Sequence, residues 1–181
     1  MKHFKQRGIA RALVLSLGLS ATVTACGASD ADQVPDVVCG TPVSPDLTRP
    51  LLPSTEDLTE WTRVDRREAI SAPCTLLSNG DPVLELRFYW SMDAPNMAER
   101  SRYDSFFRDV AEWRPIKLGN EAIVGTNGSI VSAPCESGRN KHFTLEMHLP
   151  KAKITDYGLR KDIEKFMRAY YPDTLKTLSC E

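Results

Sequence analysis

The chain has 181 residues, 41% of them hydrophobic and 26% charged, with 23 Lys and Arg against 24 Asp and Glu. The first 25 residues hold four of the basic groups and none of the acidic ones, so the remainder carries 19 basic against 24 acidic groups, a net charge of −5. That balance speaks against a nucleic-acid partner, whose affinity rests on Lys and Arg neutralising phosphates, and against broad adhesion to anionic lipid.

Lys2, Lys5, Arg7 and Arg11 form a basic start, Leu13 to Leu19 an apolar run, and small residues then lead to Cys26-Gly27. This is the order of a secretory signal peptide, and the run is too short for a spanning helix, which needs about 20 apolar residues. Ending in Val23-Thr24-Ala25-Cys26, the segment resembles the lipobox of bacterial lipoproteins. That resemblance implies cleavage after residue 25 and a diacylglyceryl group on Cys26. Two acyl chains hold a protein stably on a membrane where one is marginal. We therefore expect a leader over 1–25, the lipidated cysteine and a tether over 26–38, and one domain over 39–181. The segment 27–38 is small, acidic and aperiodic, and reaches about 40 Å at full stretch.

Four further cysteines, Cys39, Cys74, Cys135 and Cys180, are an even number in an exported chain and read as two disulfides. None stands in a Cys-x-x-Cys pair, so a zinc ribbon or thioredoxin-like site has no support. We expect Cys39–Cys74 and Cys135–Cys180, with Cys39–Cys180 plus Cys74–Cys135 as the competing connectivity.

Ser44-Pro45-Asp46 opens a short helix running to about Leu52, with proline in the first turn. Trp61 to Val64 reads as a short strand. Ser71–Leu77 and Pro82–Trp90 flank Ser78-Asn79-Gly80-Asp81, a hairpin signal because Asn-Gly tolerates positive φ. In the second of these strands Leu84, Leu86, Phe88 and Trp90 share one face, Glu85, Arg87 and Tyr89 the other. Asp93 reads as the cap of a helix over 95–112 whose apolar side includes Met97, Tyr103, Phe106, Phe107 and Val110. A second hairpin turns at Asn127-Gly128, between Ala122-Ile123-Val124 and Ile130-Val131. Residues 141–149 alternate cleanly, with Phe143, Leu145, Met147 and Leu149 on one side. Finally Thr155 caps a helix striped by Leu159, Ile163, Phe166, Met167 and Tyr170, with Pro172 expected to end it. Together these elements predict an α+β domain, an antiparallel sheet with amphipathic helices packed on it in an α/β sandwich.

The lipobox at Cys26, Cys39 followed by Thr41-Pro42, the Cys74 strand, Leu118-Gly119-Asn120-Glu121-Ala122 and the terminal helix resemble a group of small actinobacterial cell-envelope lipoproteins of unknown function. The likeness spans nearly all of the chain after the leader. It implies a PsbP/Mog1-like shape and brings no activity with it.

Catalytic signatures are lacking: there is no Gly-x-Ser-x-Gly, Ser-x-x-Lys, phosphate loop or His-Glu-x-x-His. His142, Glu146 and His148 share a strand face, and Glu146 and His148 stand close enough to share a metal, but three or four ligands are needed. We read them as a polar strand face and expect no metal and no cofactor. Glu85, Arg87 and Tyr89 read as cross-strand pairs on a solvated face rather than a pocket floor. Trp61, Trp90 and Trp113 read as core rather than a binding groove. Asn127-Gly128-Ser129 matches a glycosylation sequon but is explained as a turn. Three functions follow. The first is a non-catalytic adaptor binding another envelope protein at the extracytoplasmic face of the cell membrane. The second is a carrier of a small hydrophobic ligand or lipid, in a pocket lined by Leu84, Phe88, Phe143 and Met147. An envelope enzyme is the third and least supported. A filled core with exposed apolar side chains favours the adaptor, a roomy cavity the carrier.

Overall fold

The computed structural model describes residues 34–97 and 110–180 of the chain. Two short strands, β1 (Val37–Val38) and β2 (Thr41–Pro42), pair across Cys39-Gly40. Helix α1 (Pro45–Thr48) follows and runs on into a 3₁₀ turn over Arg49–Leu51. The main sheet contains β3 (Leu58–Thr62), β4 (Ser71–Ser78), β5 (Asp81–Ser91), β6 (Arg114–Pro115), β7 (Glu121–Val124), β8 (Gly128–Ser137) and β9 (Asn140–His148). Its order is β3-β4-β5-β9-β8-β7-β6 with every neighbouring pair antiparallel. Helix α2 (Tyr157–Thr177) crosses one face. The architecture is the expected α+β arrangement, built from two blocks of hairpins that meet where β9 pairs with β5.

Alternation explains the pairing. Leu86 faces Met147, Phe88 faces Leu145 and Trp90 faces Phe143 across the central pair, so one β5 face and one β9 face make a single apolar surface. Against it α2 buries Ile163, Phe166, Met167, Tyr170 and Tyr171. The turn between β4 and β5 carries Asn79 and Gly80 at φ 51° and 80°, the left-handed pair that a two-residue hairpin demands.

Several sequence expectations need correction. The helix does not stop at Pro172, which lies inside it. Beyond the proline, Thr174 is buried and its hydroxyl donates to the Tyr170 carbonyl at 2.9 Å. Leu178 is also buried, and Cys180 is bonded to Cys135. Packing on that side outweighs the one backbone donor that proline removes. The N-cap is Asp156 rather than Thr155, its carboxylate accepting from the Gly158 and Leu159 amides at 3.0 and 3.2 Å. The edge strand begins at Leu58 and ends at Thr62, earlier than Trp61 to Val64.

The last residues of the expected tether are folded. Val34 and Val38 are buried, and the hydroxyl of Tyr170 donates to the Val38 carbonyl at 2.8 Å. Burial pushes that phenol well above its ordinary pKa. Tyr170→Phe leaves a buried carbonyl without its donor and is expected to cost about 1–2 kcal/mol, read as a shift of the urea midpoint.

Of the helix expected over 95–112, residues 98–109 lie outside the described residues. Met97 and Val110 are both buried, in a small second cluster with Ile123 and Ile130 on the sheet face away from α2. That face is therefore not simply solvated. Glu146 and Thr144 are fully buried on it.

Candidate functional site

The expected disulfides form: Cys39–Cys74 and Cys135–Cys180. The first joins the tight turn between β1 and β2 to the second strand of the sheet. It lies at the base of a half-open cleft of about 440 Å³. Ala72 and Phe88 complete the floor, while Glu60 and Thr62 of β3 and Val64 and Arg66 of the following loop make the walls.

The walls are held by polar bonds to the hairpin and to α2. One carboxylate oxygen of Glu60 accepts the Cys39 amide at 2.6 Å. Arg66 donates to the Thr41 hydroxyl at 2.6 Å and the Thr177 hydroxyl at 2.8 Å, and also to the Gly40 carbonyl, while its guanidinium lies 5.2 Å from the Phe88 ring centre. Burial lowers its pKa from the usual guanidinium value. Trp90 donates its indole N–H to the Arg66 carbonyl at 2.9 Å, fixing the loop from beneath. Gly40 is required here twice over: its φ is +72°, and a Cβ would meet the Arg66 guanidinium at 3.3 Å.

The Cys39 and Cys74 sulfurs and a Glu60 carboxylate oxygen lie within 4.8 Å of one another. The sulfurs are bonded to each other, so neither is the thiolate a metal needs.

Beside the cleft, among the described residues, β3 pairs only with β4 and forms one edge of the sheet. Trp61 stands on it 47% exposed, and the neighbouring Val64 and Ile70 are also exposed. At the other end of the sheet Trp113 is 48% exposed and, with Met97, Ile116 and Ile123, lines a groove of about 420 Å³. Of the three tryptophans read as core, only Trp90 is buried. Trp61 and Trp113 lie at sheet margins, where side-chain chemistry does not reveal whether a neighbouring layer extends that far.

The four residues read as a ligand pocket do converge, but as mutual packing. Phe143 stands against Phe88, Trp90 and Tyr171 with ring centres 6.2, 5.1 and 6.2 Å apart. Leu84 and Met147 are fully buried in the same core. Only Phe88 of the four also lines the cleft.

The polar strand face is organised in register. Arg87 pairs with Glu146, and His148 Nδ1 lies 3.0 Å from Glu85, each across directly opposed residues of β5 and β9. These contacts engage Glu146 and His148 with side chains rather than leaving them aimed at a common ion. Asn127, the sequon residue, is buried and accepts the Ala111 amide at 2.7 Å, a structural use of that side chain.

No family model, curated protein or solved structure matches this chain. Among the described residues, no helix is long and apolar enough to cross a membrane. The cleft walls were not legible beforehand. Glu60 and Arg66 follow no local pattern, and they meet only because β3 and its loop fold back over the first hairpin.

Proposed function

We propose that the chain is a lipid-anchored lipoprotein of the actinobacterial envelope kind. Its domain works at the extracytoplasmic face of the cell membrane as a non-catalytic adaptor for another envelope protein. The observation that carries this reading is the edge strand β3, which has no second neighbour among the described residues. It turns Glu60 and Thr62 toward the cleft stapled at its base by Cys39–Cys74, and bears exposed Trp61 on its other face. An unpaired edge offers backbone donors and acceptors to an incoming strand, and an adjoining pocket takes one of its side chains. The two disulfides agree with an oxidising compartment, and the leader with its lipobox supplies the route there. Dense packing at Phe143 supports the adaptor over a carrier with an internal cavity. The cleft volume falls in the range of ligand sites and keeps a small apolar ligand as the second reading.

A photo-crosslinking residue at Thr59, on the edge strand, is expected to capture an envelope protein on intact cells, and the same residue at Lys165 on α2 is not. Trp61→Lys should abolish that capture while moving thermal stability by less than about 0.5 kcal/mol, the usual effect of an exposed substitution. Equal capture from both positions, or capture indifferent to Trp61→Lys, defeats the edge-docking reading. Retention of a small molecule in native mass spectrometry, lost on filling the cleft with Ala72→Leu, selects the carrier instead.

A further inference from the structure

We infer that the turn preceding α2 and the first turn of that helix form a contact patch for an anionic lipid surface. Between Lys151 and Lys161 the chain places four basic residues, Lys151, Lys153, Arg160 and Lys161, and one acidic residue, Asp156. The acid is occupied, since its carboxylate caps the helix through the Gly158 and Leu159 amides. Lys153 and Lys161 form no ion pair with any described residue, and Lys151 meets Asp81 only at 3.3 Å in an exposed pair. The net −5 of the chain after residue 25 conceals this local excess of positive charge.

Within the basic cluster stand two large exposed apolar side chains, Ile154 at 56% and Tyr157 at 58% exposure. Arg160 lies over the Tyr157 ring, 5.2 Å from its centre, and Lys161 follows Tyr157 by one helical turn on the same side. The turn itself is fixed. Buried Thr126 donates its hydroxyl to the Ile154 carbonyl at 2.7 Å, and the Asp156 amide donates to the Lys153 carbonyl at 2.9 Å. An aliphatic residue and a tyrosine held at a firm turn and ringed by Lys and Arg match a bilayer interface. There the apolar groups enter between headgroups while the cations meet phosphates. Charge complementarity selects anionic lipid as the occupant. The inference does not depend on the docking reading, because the patch and the β3 edge use different elements and different residues.

The test compares binding of the full chain to phosphatidylglycerol-containing vesicles and to pure phosphatidylcholine vesicles by flotation. Every sample carries Cys26→Ser, so none is acylated, and the binding due to the basic, apolar leader is measured on a peptide of residues 1–33 and subtracted. Binding is expected to be stronger on phosphatidylglycerol and to weaken with salt. With about fivefold per basic residue near such a surface, Lys153→Glu with Lys161→Glu should reduce it by roughly 25-fold or more. Ile154→Ser should reduce it on the anionic vesicles without touching the charges. In Ile154→Trp, tryptophan emission should shift to the blue on adding those vesicles. Unchanged binding after the double charge reversal, or an unshifted emission in Ile154→Trp, overturns the inference. So does loss of a crosslinked protein in the charge-reversed variant with vesicle binding intact, which would make the patch a protein contact. Failure of the Thr59 crosslink would leave these vesicle results standing, and the converse also holds.

Discussion

Replacing Cys39 and Cys74 together by serine, or Cys135 and Cys180 together, is expected to cost about 4 kcal/mol in each case, because the bridges close loops of 35 and 45 residues. The chain-entropy argument places that loss in the unfolded state, which gains freedom when a long loop opens. The two bridges restrain different things. Cys39–Cys74 fastens the first hairpin, and with it the base of the cleft, to the sheet. Cys135–Cys180 holds the end of the chain against β8, after the helix has already passed Pro172. Stabilities of ordinary domains lie at about 5–15 kcal/mol, so removing both bridges should leave the chain marginal or unfolded. Urea unfolding followed by circular dichroism, with and without a reductant, reads the effect directly. A midpoint unchanged by reduction would mean that the hairpin and the chain end are held by packing alone. The Cys39–Cys74 variant should also weaken the Thr59 crosslink, since Glu60 is positioned through the Cys39 amide. The Cys135–Cys180 variant should spare it wherever the protein remains folded.

Phe143→Ala is expected to destabilise the protein by about 3–5 kcal/mol, the range for removing a large buried aromatic side chain. The ring is wholly buried and sits between Phe88, Trp90 and Tyr171, so three aromatic contacts disappear together. Phe143→Leu keeps much of the volume and should cost less than half as much. Thermal or urea unfolding of the two variants makes the comparison. It also bears on the carrier reading. A core that already enclosed a ligand-sized void beside Phe143 would tolerate the truncation, whereas a filled one would not. If Phe143→Ala costs less than about 1 kcal/mol, the dense packing that favours the adaptor loses its energetic support.

Residue patterns and tertiary structure contributed differently to each element. The hairpin at Asn79-Gly80 and the alternation of β5 and β9 were plain in the residues. Turn chemistry and a period of two act over a few neighbours and need no distant partner. The helical stripe from Leu159 to Tyr170 was equally visible, while its end was not. A rule about proline acts locally, and at Pro172 it is outweighed by the buried Thr174 and by contacts made from strands far away in the chain. Trp61 and Glu146 mislead in opposite directions. The indole looks like core and stands exposed on an edge, and the carboxylate looks solvated and is buried beside Arg87.

By itself the sequence determined the α+β class, the hairpins, the buried stripe of the last helix and a sound expectation for the disulfides, because each follows from periodicity, turn residues or cysteine spacing. Only the tertiary structure decided which strand lies at the edge, what covers each sheet face, and that Glu60, Arg66 and the Cys39–Cys74 bridge share one cleft. Those are outcomes of strand order and layer extent, set by contacts between residues tens of positions apart. No local pattern encodes such contacts.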